Sequence, residues 1–193
     1  SYGRSTWEEF GHDFYRDPFN QSLNSFFHHI MTDNPHTSPW IPLGARAANS
    51  FTIMVSLIIL AAALTSTRRA HDGNPSEEAG ESYRKSAYAI FIMLSLLIPS
   101  LCWDHYFVQA LLPMAFLLEI LYDRKLSWRL AVAAAAFFFL GIPWMFPADS
   151  FRHGPGILLM SLKLWAGLVV FILLVEQAFR LGKKGACQWA HLN

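Results

Sequence analysis

Charge is what this chain lacks. Asp, Glu, Lys and Arg make up 15% of its 193 residues, against about 25% in soluble globular domains. Neither sign dominates. The formal net charge is +1, which excludes the basic footprint of a nucleic-acid binder. Cysteine is scarce as well. Two in the whole chain exclude a disulfide scaffold, and neither Cys102 nor Cys187 has a metal-ligand spacing. Internal repeats and low-complexity tracts are missing. An apolar content of 53% with 16 Phe excludes a disordered or collagen-like chain.

What is present is apolar sequence in long blocks. Ala47–Thr67, Ser86–Trp103 and Leu130–Ala148 contain no Asp, Glu, Lys or Arg. Tyr106–Tyr122 carries only Glu119, and Gly154–Val175 only Lys163. A helix needs about 20 mostly apolar residues to cross a bilayer. The pattern therefore predicts an all-α polytopic bundle of about five transmembrane helices. Cys102 and Cys187 fall at opposite ends of such a bundle, too far apart to pair.

Lys and Arg give the expected orientation. The first and third connections and the tail hold Arg68, Arg69, Arg84, Lys85, Arg124, Lys125, Arg129, Arg180, Lys183 and Lys184. The opposite side holds Arg4, Arg16, Arg46 and Arg152. Residues 1–46 are expected outside, 47–176 in the membrane and 177–193 as a cytoplasmic tail. The expected location is a bacterial inner (plasma) membrane. The chain opens on Ser1 with no visible signal peptide. An N-terminal stretch placed outside normally follows an earlier membrane segment. The sequence thus reads as the C-terminal part of a larger polytopic protein, or as a chain whose signal peptide has been removed.

Within residues 1–46, Asp17-Pro18 suits a helix start. Leu23, Phe26, Phe27, Ile30 and Met31 then recur on one helical face, and Asp33-Asn34-Pro35 is a stop signal. This predicts a short amphipathic helix that lies in the outer interface or packs on the bundle. His12, His28, His29 and His36 fit no metal motif.

The second outer connection, Pro99 to Phe107, joins two apolar blocks almost without a break. Asp104 and His105 fall there at the expected membrane surface, where ionisable groups are costly and point to function. The plain alternative is that Asp104 caps a helix and His105 is an interface residue. Trp40, Trp103, Trp144 and Trp165 fall near outer helix ends. They read as an aromatic belt, or as walls that stack on sugar or lipid. Glu119 is expected near the cytoplasmic surface, where it can snorkel or meet Arg124. Lys163 lies nearer the outer side, placed to snorkel outward or to hold a lipid phosphate.

Asn20-Gln21-Ser22-Leu23-Asn24 before a short apolar helix, followed much later by Pro99-Ser100-Leu101-Cys102-Trp103-Asp104-His105-Tyr106-Phe107 opening another, resembles glycosyltransferase family 87. That family comprises polyprenol-phosphate-dependent, mannosyltransferase-like membrane enzymes of the GT-C class. The resemblance covers most of residues 18–145, and the Trp-Asp-His block is its more specific part. Cys102 stands where the family more often has Ser or Thr. The resemblance implies transfer of a sugar, usually mannose, from a polyprenyl-phosphate donor to a glycolipid or glycan acceptor on the outer face. His105 and Asp104 would be its catalytic residues. Asn20, Gln21, Trp103, Tyr106 and Lys163 would contact substrate, and no metal or other cofactor is implied. GT-C enzymes usually take their base from an Asp in the first outer loop, which has no counterpart here. The activity is therefore expected of the intact parent, completed by helices that precede this chain. Two other readings compete: a non-catalytic membrane subunit and a transporter fragment. The bland midplane residues count against transport.

Overall fold

The computed structural model describes residues 17–34, 36–68, 77–123, 125, 127–143 and 151–190. Arg4, His12, Arg16, Arg69, Arg124 and Trp144 lie outside these residues, as do the side chains of Lys183, Lys184 and Cys187. The described residues are helical, with no strand among them. In chain order the helices are α1 (Leu23–Met31), α2 (Ala45–Arg68), α3 (Glu77–Leu97), a 3-10 helix (Asp104–Ala110), α4 (Leu111–Asp123), α5 (Ser127–Gly141), a 3-10 turn (Gly154–Gly156), α6 (Ile157–Met160) and α7 (Leu162–Ala190).

Among the described residues, three helices are long and apolar enough to cross a membrane: Ala45–Arg68, His105–Tyr122 and Leu162–Leu181. Each of the five apolar blocks carries one helix of the bundle, but two stop short of that length or apolarity. α3 starts at Glu77 among charged residues and ends at Leu97, where Pro99 removes a backbone donor and the chain bends. α5 has 15 residues, about 22 Å of helix against a hydrocarbon core of about 30 Å.

α7 is the axis of the bundle, with α2, α3, α4 and α5 all packed on it. Of its apolar window 56% is buried, against 17% for α2 on the periphery. Leu164, Val170 and Leu174 on α7 meet a core that includes Ile90, Met93 and Leu97 of α3 and Met114, Leu117 and Leu121 of α4. Polar ties mark the two ends. At one end Tyr83 donates to the carbonyl of Thr67, Lys85 pairs with Glu119 at 2.6 Å, and Arg129 pairs with Glu176. Glu119 thus meets a lysine of α3; the alternative partner Arg124 lies outside the described residues. α1 and the Pro99–Trp103 connection occupy the other end.

α1 starts later than Asp17-Pro18 predicted. Ser22 is the N-cap, its hydroxyl accepting from Ser25 N at 3.1 Å. Asp17 instead closes a turn, accepting from Phe19 N at 2.8 Å through Oδ1 and from Asn20 N at 2.9 Å through its carbonyl. The helix ends at Met31, ahead of the predicted stop, where the Thr32 hydroxyl donates to His28 O at 2.7 Å. Leu23, Phe26, Ile30 and Met31 are buried as the pattern requires, and so are Ser25, His28 and His29 away from that face. α1 is enclosed by its surroundings. Phe26 meets Trp165 of α7 edge-on at 4.9 Å, and Phe27 stacks on Phe51 of α2 at 5.8 Å. His28 Nε2 pairs with Asn49 Oδ1 of α2 at 3.0 Å. Gly44, at φ +83°, makes the turn into α2 while its N–H donates to Met31 O at 2.9 Å.

Candidate functional site

The two segments singled out by the sequence are joined. Gln21 N donates to Cys102 O at 2.8 Å, and Asn20 and Trp103 form an isolated antiparallel bridge. Asn20 supplies the rest of the seam. Its Oδ1 accepts from Cys102 N at 2.9 Å, and its Nδ2 donates to Ser100 O at 3.1 Å. Ser22 Oγ donates to the same Ser100 carbonyl at 2.9 Å. Gln21 Nε2 donates to Pro18 O at 3.0 Å and to Met160 O at 2.8 Å, tying the seam to α6. The Ser100 carbonyl and the Cys102 N–H lie beyond the end of α3, without a helix to pair them, and Asn20 and Ser22 satisfy them. Asn20, Gln21, Ser22 and Cys102 are all buried. Asn20 and Gln21 therefore fix the connection that leads into the 3-10 helix.

That 3-10 helix runs seven residues, Asp104 to Ala110, longer than the usual three or four. Its winding has a direct consequence. In a 3-10 helix residues three apart eclipse one another, so His105, Val108 and Leu111 fall in one row, continued by Met114 in α4. All four line a cavity of about 500 Å³, within the range of small-molecule sites. Phe107 and Ala110 complete that wall, Phe137, Leu140, Gly141 and Pro143 from the end of α5 form the facing one, and Lys163 of α7 joins the lining.

The cavity has an ordered polarity. Among the described residues, His105 and Lys163 are its only ionisable lining residues, and the rest of that lining is apolar. Lys163 is 5% exposed, so its ammonium does not reach out to water as a snorkelling lysine would. The His105 ring meets Tyr106 edge-on at 4.6 Å. Tyr106 is exposed and Trp103 half-buried at the N-cap of the 3-10 helix. Asp104 opens that helix, and its side chain lies outside the described residues.

The structure thus brings His105 and Lys163 to one cavity, with Tyr106 beside His105. Asn20 and Gln21 belong to the buried seam behind it. Sequence reasoning missed the facing wall, because Phe137 and Leu140 carry no sign of it within a uniformly apolar block. It also missed Gly167, whose close contact with Phe107 has no sequence signal beyond its being a glycine in a helix. Among the described residues no group of three His, Cys, Asp or Glu could hold a metal ion. No protein-family model, no curated protein and no solved structure matches this chain.

Proposed function

We propose that this chain is the part of an integral-membrane glycosyltransferase that holds a polyprenyl-phosphate sugar donor. The observation that carries the reading is the cavity, with His105 and Lys163 among otherwise apolar walls. An anionic group on a hydrocarbon chain has this polarity. Val108, Leu111 and Phe137 are exposed apolar residues of the lining, so in a bilayer the cavity opens toward lipid and its ligand arrives laterally. In the full reading the five apolar helices all cross a bacterial inner membrane. The short α5 does so through local thinning of the bilayer and its flanking residues, while α3, at 21 residues, is long enough and keeps its charged first turns at the surface. The excess of Lys and Arg at the Lys85–Glu119 end supports reading the cavity as facing outside.

The chemistry then divides as follows. The acceptor hydroxyl oxygen bonds to the anomeric carbon of the sugar, usually mannose, while the bond from that carbon to the phosphate oxygen breaks. The electron pair leaves with the phosphate, and the hydroxyl proton passes to a carboxylate base. Lys163 and His105 stabilise the charge gathering on the phosphate. Asp104, next to His105, orients it or serves as the base, and the acceptor is a glycolipid or glycan. A second reading, a non-catalytic membrane subunit, is favoured by the inward-facing Asn20 and Gln21, whose amides are committed to backbone carbonyls.

The test is sugar transfer from radiolabelled polyprenyl-phosphate mannose by membranes holding the intact parent protein at equal levels. His105→Ala is expected to lower the rate by a factor of about 100–1,000, as for loss of one group that stabilises developing charge. His105→Gln should recover part of this if the imidazole only donates a hydrogen bond. Asp104→Asn should cost less than His105→Ala if Asp104 orients its neighbour, and as much or more if it is the base. Full activity in His105→Ala leaves the membrane-subunit reading ahead.

A further inference from the structure

His105 and Lys163 stand on separate elements, so something must hold one in register with the other. Phe107 of the 3-10 helix lies close against Gly167 of α7. A Cβ at Gly167 would stand 3.2 Å from Phe107 Cε1, 3.4 Å from Leu97 Cδ2 and 3.6 Å from Met93 Cε. The first of these distances is tighter than side chains normally tolerate, so any side chain at Gly167 pushes on the Phe107 ring.

The position of this contact matters. Lys163 and Gly167 are four residues apart on α7 and share a face. Lys163 lies about 6 Å from Gly167 along the axis, toward the α1 end. His105 lies two residues from Phe107, about 4 Å in the same direction at 3-10 rise. Lys163 and His105 therefore both lie on the α1 side of the Phe107–Gly167 contact, and both line the cavity.

We propose that Gly167 is a positioning residue. Its missing side chain lets Phe107 seat on α7, and this contact sets His105 against Lys163 so that both reach one phosphate. The inference rests on the lipid-phosphate reading of the cavity and adds how its two polar groups are held in register. Gly167 touches no ligand; it acts through Phe107 and His105.

The experiment compares two photoactivatable probes in membranes containing the protein, a polyprenyl phosphate and the corresponding uncharged polyprenol. The polyprenol uses only the apolar walls, whereas the phosphate also needs the registered pair. Wild-type protein should label preferentially with the phosphate. Gly167→Val should reduce that preference about tenfold, the loss of one charge-assisted hydrogen bond, with Gly167→Ala giving a smaller loss in the same direction. Polyprenol labelling should stay within roughly twofold, since the apolar walls remain. Phe107→Leu added to Gly167→Val should restore most of the preference by making room for the new side chain. Equal loss of both probes would reduce the contact to plain packing and overturn the proposal. So would an unchanged preference in Gly167→Val, or no recovery with Phe107→Leu. A wild-type protein that labels equally with both probes would overturn the lipid-phosphate reading itself, and this inference with it.

Discussion

Asn20 closes on Cys102 across 82 residues of sequence: its Oδ1 accepts from the Cys102 N–H at 2.9 Å. The neighbouring Gln21 N–H donates back to the Cys102 carbonyl at 2.8 Å. This reciprocal pair, with the Ser100 bonds beside it, is how the connection after α3 is fixed before the 3-10 helix begins. Asn20→Ala takes the Asn20 acceptor from the buried Cys102 N–H, while the Ser100 carbonyl keeps the Ser22 hydroxyl. The expected cost is about 1–3 kcal/mol per buried group left unsatisfied. Asn20→Asp keeps the acceptor for the Cys102 N–H, and a protonated carboxyl can still donate to the Ser100 carbonyl, so in acid it should cost less than Ala. Melting of the detergent-solubilised protein measures both. An Asn20→Ala protein as stable as wild type would mean that the seam is not holding the connection.

Topology can be read at exposed positions on either end. Ser38 lies on the α1 side, where its N–H donates to Arg152 O at 3.0 Å, and Tyr122 lies at the far end of α4. Ser38→Cys in intact cells should react with a membrane-impermeant thiol reagent. Tyr122→Cys should react only after the membrane is opened. Labelling with the opposite pattern would move the cavity to the cytoplasmic face and remove access to an outer-face acceptor.

Lys85 bridges Glu81 one turn back on α3, at 3.0 Å, and Glu119 on α4, at 2.6 Å. Its hydrogen bond to Glu119, then that to Glu81, holds the Lys85 ammonium above the ordinary lysine range. The Lys85 hydrogen bond and charge hold Glu81 below the usual carboxylate range. A raised lysine contributes stability that is present below its unfolded value and lost as pH rises through the folded one. A depressed carboxylate contributes above its unfolded value, and that contribution is lost as pH falls through the folded one. The Lys85 bridge should therefore lose its arm to Glu81 within α3 in strong acid, lose both arms in strong alkali, and be flat between. Melting temperature against pH should show both shoulders in wild type and lose them in Lys85→Met. The effect is small, because the groups are exposed, and identical profiles for the two proteins would discount the bridge.

The helical character was legible because charge is confined to the connections, and a long uncharged block has few alternatives to a helix. Helix ends were less legible. Asp17-Pro18 carries the usual start signal, yet Asp17 is used in a turn and Ser22 caps α1 instead. Both residues are good caps, and what decides between them is the pairing of Asn20 and Gln21 with Cys102, a contact invisible at short range. Pro99 marked a disturbance in the chain, but not that a 3-10 helix would follow it. His105 and Lys163 stood out because polar groups in apolar blocks are costly, and they do share a cavity. Asn20 and Gln21 stood out only through a resemblance, and their side chains bind backbone. Burial separates the two cases, and burial is not written in local sequence.

Glu176 is the residue that keeps Arg129 inside the bundle. Its carboxylate accepts from Arg129 Nε at 2.9 Å and Nη2 at 2.5 Å, and from Arg180 Nη2 at 2.8 Å. Arg129 is buried and its guanidinium also lies 4.3 Å from the centre of the Trp128 ring. A buried ion pair contributes little net stability, because taking both charges out of water offsets their attraction. Breaking it is another matter, since one charge is then left without compensation. Glu176→Gln should therefore lower the melting temperature by on the order of 5–10 °C. Arg129→Met added to Glu176→Gln should recover most of that loss, because the remaining amide needs only hydrogen bonds and the thioether chain fills the space of the arginine stem. Arg129→Met alone should fall between the two, as Arg180 still pairs with the carboxylate. A double variant that melts as low as Glu176→Gln would show that Arg129 holds α5 to α7 by packing and ring contact, and that its charge is incidental.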